Sequence, residues 1–188
     1  MKDKAFWNNF YSDLNSPIPQ TSKFLKESLG FLRKGKAFEI ACGTGWNAFY
    51  LADNGFNVEA IDFSNVAIEQ AIKKNQDEGK NIDFKVQSLD FYLAPIQKYD
   101  TVVITDFKCS GRILDEMKKG LVIGGTLLME CFTVNHVKNN PNGYIEVEDC
   151  YKPFELVRLL KDWNVLYYDE RIINNDYRVR VLAIKPGF

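Results

Sequence analysis

Two glycines one residue apart, Gly43 and Gly45, end a mostly apolar run, Lys36–Ile40, that carries one acid, Glu39, near its end. Glycine allows a tight turn whose backbone stays open to a ligand, and a helix starting at Trp46 would present unpaired N–H groups beside it. A second short run, Val58–Ile61, ends in Asp62, where a carboxylate can accept both hydroxyls of a ribose. Phe63 can cover an adenine face, Leu89 can offer a backbone N–H to that ring, and Asp90 can accept from its exocyclic amine. These types in this order describe a pocket for an adenosine-containing cofactor. Glu39 then either braces the turn or receives the amine of an amino-acid moiety. With Ala48 the run also satisfies Gly-x-Gly-x-x-Ala, the permissive dinucleotide fingerprint. Binding of NAD by an oxidoreductase or regulatory domain therefore stays open on these residues, as does a turn that serves the fold alone.

Two other residues could handle a proton. Asp106, in Thr105-Asp106-Phe107, follows an apolar strand pattern at the carboxyl edge, where open α/β sheets place ligands. It suits either an acceptor's proton or the N-cap of a helix starting near Cys109. His136 is the only histidine, and its reference pKa of about 6.5 fits a base. With Thr133 and Asn135 it is expected to reach the same pocket edge, although a lone histidine in a loop is more often simply solvated. Nothing in the sequence brings Ser110, Asp106 and His136 together as a nucleophilic centre. Four cysteines, at 42, 109, 131 and 150, show no Cys-x-x-Cys spacing, so they read as reduced thiols and no metal site is expected.

These residues need an alternating framework to position them. Strand patterns at 36–40, 57–61, 82–86, 99–104 and 121–129 are separated by helical patterns at 46–54, 65–77 and 110–118. Ile68, Ala71 and Ile72 form a one-face stripe on the second of these helices. Such alternation favours an α/β fold, a parallel sheet covered by helices on both faces. Gly124-Gly125 is expected to break the strand at 121–129. Residues 139–143 read as a loop and 152–162 as a helix. Segments 165–168 and 178–184 read as an antiparallel pair turned by Asn174-Asn175-Asp176. At the start, Phe6–Tyr11 and Ser22–Leu32 read as helices, the first an aromatic cover for the pocket.

At 188 residues the chain is most simply a single domain, 1–188, with 1–32 a helical lid within it. Apolar residues make up 46% and charged residues 26%, a globular composition. A net charge of −1 gives no support for nucleic acid or an anionic membrane as partner. Leu121–Met129, the longest nearly apolar run, is too short to span a bilayer, and no hydrophobic block follows Met1–Lys4. A cytoplasmic protein, monomeric or weakly dimeric, with a small-molecule acceptor is the expectation.

Over nearly the whole domain, and most specifically over residues 38–68, the sequence resembles the S-adenosylmethionine-dependent methyltransferases with a Rossmann-like fold. The resemblance rests on Phe38–Asn47, Tyr50–Val58, and Ala60–Ser64 with Ala67-Ile68, then on Tyr99–Val103, Gly124–Glu130 and Phe154–Leu156. More narrowly it is similar to the small branch that includes tellurite-resistance and thiol methyltransferases. It implies a three-layer sandwich whose seven-stranded, mostly parallel sheet runs 3-2-1-4-5-7-6, with strand 7 antiparallel. It implies S-adenosyl-L-methionine as cofactor, with Glu39 the acid of the first motif, Gly43 and Gly45 beside the methionine part, and Asp62 on the ribose. Ala41 stands where the fuller motif has glycine, and Trp46 replaces a basic residue common in the branch. The second departure points away from an anionic acceptor. The activity implied is methyl transfer to a small molecule; an interaction protein that keeps the fold without catalysis is the other reading.

Overall fold

The first strand, β1 (Lys36–Ile40), is buried on both faces, which is why it reads as an almost unbroken apolar run. It is third from one edge of a seven-stranded sheet in the computed structural model, which describes residues 2–17, 19–141 and 143–187. The others are β2 (Asn57–Asp62), β3 (Ile82–Val86), β4 (Tyr99–Thr105), β5 (Leu121–Phe132), β6 (Asn164–Ile173) and β7 (Asp176–Ile184). Their order is 3-2-1-4-5-7-6. The first five are parallel, and β7 runs antiparallel to both β5 and β6. This is the expected Rossmann-like sheet.

Successive residues of each strand feed opposite faces. Phe38 and Ile40 join one apolar cluster with Leu114, Met117 and Leu156, while Ala37 joins the other with Leu25, Phe49 and Ile68. Helices α1 (Lys4–Ser12), α2 (Lys23–Ser28), α3 (Trp46–Asp53), α4 (Asn65–Glu78), α5 (Gly111–Gly120), α6 (Val134–Asn139) and α7 (Glu155–Leu159) complete the described chain. Side-chain caps set several of their starts. Ser64 Oγ accepts from Ala67 N at 3.1 Å to open α4, and Ser110 Oγ accepts from Ile113 N at 3.3 Å to open α5. Ser110, not Asp106, is therefore the cap of α5.

Four segments differ from expectation. The helix expected over 22–32 gives way after Ser28 to a 3-10 turn, Leu29–Phe31, around Gly30. Strand β5 is not broken at Gly124-Gly125. Gly124, at φ +74°, absorbs the irregularity where the β4–β5 register shifts, and pairing resumes at Thr126. The helix expected over 152–162 is only Glu155–Leu159, because Phe154 sits in the left-handed region at φ +59°. At its other end Leu160 and Trp163 bond three residues back, in turns. The loop expected at 139–143 follows an unforeseen helix, α6; Asn142 lies outside the described residues.

Candidate functional site

Three left-handed residues shape the turn between β1 and α3: Ala41 at φ +53°, Gly43 at +54° and Gly45 at +83°. The two glycines serve different neighbours. A Cβ on Gly45 would lie 2.6 Å from the Phe84 ring, so that glycine lets the turn close onto the core. A Cβ on Gly43 would lie 2.6 Å from the Tyr11 hydroxyl, which packs directly over that glycine. Ala41, without that freedom, holds a conformation that costs a non-glycine residue on the order of 1 kcal/mol.

Asp62 pins this turn to the tip of β2. Its Oδ2 accepts from Gly43 N at 2.9 Å and its Oδ1 from Ser64 N at 2.8 Å. Burial pushes its pKa up, against those N–H groups, which favour the charged form. Each carboxylate oxygen keeps a further lone pair, so the turn bonds do not exhaust its capacity. Glu39 is more deeply buried. Its Oε1 accepts from Asn47 Nδ2 at 2.9 Å, whereas Oε2, like Thr44 Oγ1, is buried and has no hydrogen-bond partner among the described residues. Burial raises the Glu39 pKa to about 8, opposed by Asn47 and the Ala48 N–H.

The cleft above the turn has a volume of about 660 Å³. Ala41, Gly43, Asp62, Phe63, Leu89 and Asp90 line it, as does Asp106, so seven of the sequence-derived candidates meet at one place. Glu39 and Gly45 lie behind that wall, one bonded to Asn47 and the other against Phe84. Arg112 on α5 donates to the carbonyls of Leu89 and Tyr92 and so fixes the loop that carries Leu89 and Asp90. Asp106 is left-handed at φ +56°, held by its N–H donating to Glu130 O at 2.9 Å and by an ion pair with Arg178. His136 is elsewhere. It is buried in α6, with its ring 4.4 Å from the Phe132 ring and Nδ1 3.5 Å from Asp176. Burial lowers its pKa. Thr133 and Asn135 open onto a separate hollow with Glu170 and Arg178, because β5 runs three residues past Met129 and α6 turns the chain away from the cleft.

Asn47 is a functional neighbour that the sequence did not single out. Its amide donates to Glu39 Oε1 and to Thr105 Oγ1, both at 2.9 Å, and accepts from Ser22 N at 2.9 Å. It thereby joins the ends of β1 and β4 to the segment after α1. Its only sequence signal was its place in the first turn of α3, on the side of Glu39. Helix α1 lies along α4: Ser64 Oγ donates to Asn8 Oδ1 at 2.7 Å, Asn8 Nδ2 to Asn65 Oδ1 at 3.1 Å, and Gln70 to the Tyr11 carbonyl at 2.7 Å. Trp7, Phe10 and Tyr11 then line the cleft together with Tyr144. The Trp7–Tyr144 and Phe10–Tyr144 ring centroids are 5.9 and 5.4 Å apart.

Residues 2–177 match the family model described as tellurite resistance protein TehB. The chain belongs to the TehB family. Among solved structures it is similar to TehB from Haemophilus influenzae, at 20% identity and a TM-score of 0.71, covering 95% of this chain and 66% of that one. It is likewise similar to a SAM-dependent methyltransferase from Methanosarcina mazei, at 21% identity and a TM-score of 0.69, covering 89% of this chain and 99% of that one. At these identities the likeness shows the fold, that of the S-adenosylmethionine-dependent methyltransferases. A curated relative, hemagglutinin 1 from Eikenella corrodens, is 25% identical over 161 residues, 81% of this chain. The chain spans about half the length of that relative. Among the described residues of this TehB-family chain, no cluster of three or more histidine, cysteine or acidic side chains could hold a metal ion, and no helix is long and apolar enough to cross a membrane.

Proposed function

We propose that this TehB-family protein transfers a methyl group from S-adenosylmethionine to a small-molecule acceptor by in-line displacement. The observation that carries this reading is the Gly43 turn held by Asp62, with the unpartnered Glu39 Oε2 and Thr44 Oγ1 beside it. Buried polar atoms without partners are costly, and an amino-acid moiety supplies both donors and acceptors for them. Asp62 would take the ribose, Phe63 a face of the adenine, the Leu89 N–H its ring edge, and Asp90 its amine. Glu39, through a water or by rearrangement of Asn47, would face the cofactor's ammonium. The cofactor supplies an activated methyl, so the protein's part is to align the acceptor and exclude water.

The residues of this chain divide that work. Helix α1 with Tyr144 is a lid over the cleft, and its aromatic rings dry the reaction space. Tyr11, whose phenol is kept neutral because burial raises its pKa, faces Gly43 as an uncharged hydroxyl. Asp106, oriented by Arg178, takes the acceptor's proton. His136, packed against Phe132, is a structural residue in this reading rather than a base. Residues 1–188 act as one unit. Calorimetry with S-adenosylmethionine, S-adenosylhomocysteine and NAD is the test: both sulfur cofactors are expected to bind. Binding of NAD alone would overturn the proposal.

A further inference from the structure

The family takes its description from tellurite, and an anion of that kind needs a cation in the cleft to receive it. Three cations line that cleft among the described residues, and each is already committed. Lys2 is paired with Glu146. Lys108 donates to Cys150 O at 2.7 Å and lies 3.6 Å from Glu155. Arg112 holds the Leu89 and Tyr92 carbonyls. Arg178, behind the wall, pairs with Asp106 and with Asp176 at 3.0 Å. Lys74, the cation next to Trp46, lies 3.9 Å from that ring and 3.8 Å from Glu78, and does not line the cleft. Against these, Asp62, Asp90, Asp106 and Asp149 all line it. Of these carboxylates Asp106 is itself paired with Arg178. An entering oxyanion would find every lining cation engaged, Lys2 and Lys108 by carboxylates and Arg112 by carbonyls, and would have to displace one of those contacts to be held by it.

The surface beyond the glycine turn is aromatic instead. Trp7 and Phe10 come from α1, Tyr144 packs on both from the loop after α6, and Phe107 and Ile113 line the cleft as well. Such walls favour a flat or branched apolar body, with a few polar groups to orient it. Resting on the methyltransferase reading, we infer that the acceptor is an uncharged apolar molecule whose accepting group is a neutral S–H or O–H. On transfer the acceptor's sulfur or oxygen forms a bond to the methyl carbon while the methyl–sulfonium bond breaks, its electron pair staying on the departing sulfur. The acceptor's proton passes to Asp106 and on to solvent.

The test titrates benzyl mercaptan, phenol, benzylammonium, selenite and tellurite into the protein saturated with S-adenosylhomocysteine. Binding is read by tryptophan fluorescence and calorimetry, and turnover by S-adenosylhomocysteine release from the S-adenosylmethionine-loaded protein. Saturable binding of benzyl mercaptan or phenol is expected, at least tenfold tighter than either oxyanion or the ammonium. Trp7→Ala should weaken it by about tenfold while S-adenosylhomocysteine still binds; Tyr144→Leu gives the same reading should the first variant misfold. Equal or tighter binding of an oxyanion or of benzylammonium, or no saturable binding of either neutral compound, would overturn the inference. Failure to bind either sulfur cofactor in the preliminary calorimetry would instead remove the methyltransferase reading itself. Neutral-compound binding by the cofactor-free protein then decides the apolar site separately, since its absence there overturns that site too.

Discussion

Asp62 carries two loads at once, the glycine turn and, in the proposed reading, the ribose. Asp62→Ala should therefore weaken S-adenosylmethionine binding by roughly 2–4 kcal/mol, through lost charge-assisted bonds and a loosened turn. Calorimetry measures the affinity, and a lowered thermal midpoint without ligand would report the loss of the bonds to Gly43 and Ser64. Glu39 predicts a pH effect. Its folded-state pKa of about 8 lies above its ordinary value of 4.5. A carboxyl raised in this way binds its proton more tightly when folded, so its stabilising contribution is fully present below about pH 4.5. That contribution falls as pH rises from there and is lost through about pH 8. Glu39→Gln should flatten the decline, read as thermal midpoints between pH 5 and 9. A slope unchanged from the wild type would show that Glu39 is not its source.

At the scale of elements, two junctions decide behaviour. Strands β6 and β7 are joined through Asn174 and Asn175, at φ +50° and +69°. Positive φ at both centres is the hairpin geometry that suits strand twist, and glycine is favoured at the second position. Asn175→Gly should leave stability equal or raise it by about 0.5 kcal/mol, whereas Asn175→Val should cost about 1–3 kcal/mol. Urea unfolding separates the two. The other junction is α1 on α4, where Asn8 bonds Ser64 and Asn65. Asn8→Ala should speed cofactor dissociation several-fold with little change in global stability, because α1 has no buried residue of its own. Stopped-flow fluorescence measures the rate, and an unchanged rate would remove the lid role from α1.

For the whole molecule, cofactor binding and folding are linked. A ligand held only by the native turn, lid and β-strand tips should stabilise the protein by about 2.7 kcal/mol at a hundredfold excess over its Kd. S-adenosylhomocysteine should raise the thermal midpoint accordingly and NAD should not. A chain that spans about half of a curated relative can share its fold without sharing that protein's whole activity, so substrate and partners rest on this cleft alone.

Much of this was legible in the chain itself. Helices fall between successive parallel strands, except that β3 is followed directly by β4, because the buried runs of Val, Ile and Phe must be covered on both faces, and that pattern is local. The glycine turn and Asp62 were legible too, since both lie at strand ends whose register the alternation sets. Periodicity could not report left-handed residues that are not glycine. Phe154 shortened α7 and Asp106 turned away from the cap of α5 for that reason, each stabilised by bonds to residues distant in sequence: Phe154 N to Glu170, Asp106 to Glu130 and Arg178. Tertiary structure alone took His136 away from the cleft, because β5 continues to Phe132 when β7 pairs with it. It alone made Asn47 a hub and committed Lys2, Lys108 and Arg112 to partners. A near-zero net charge is set by composition, but the charge an acceptor meets depends on which ions have already found each other, and that is settled only by the fold.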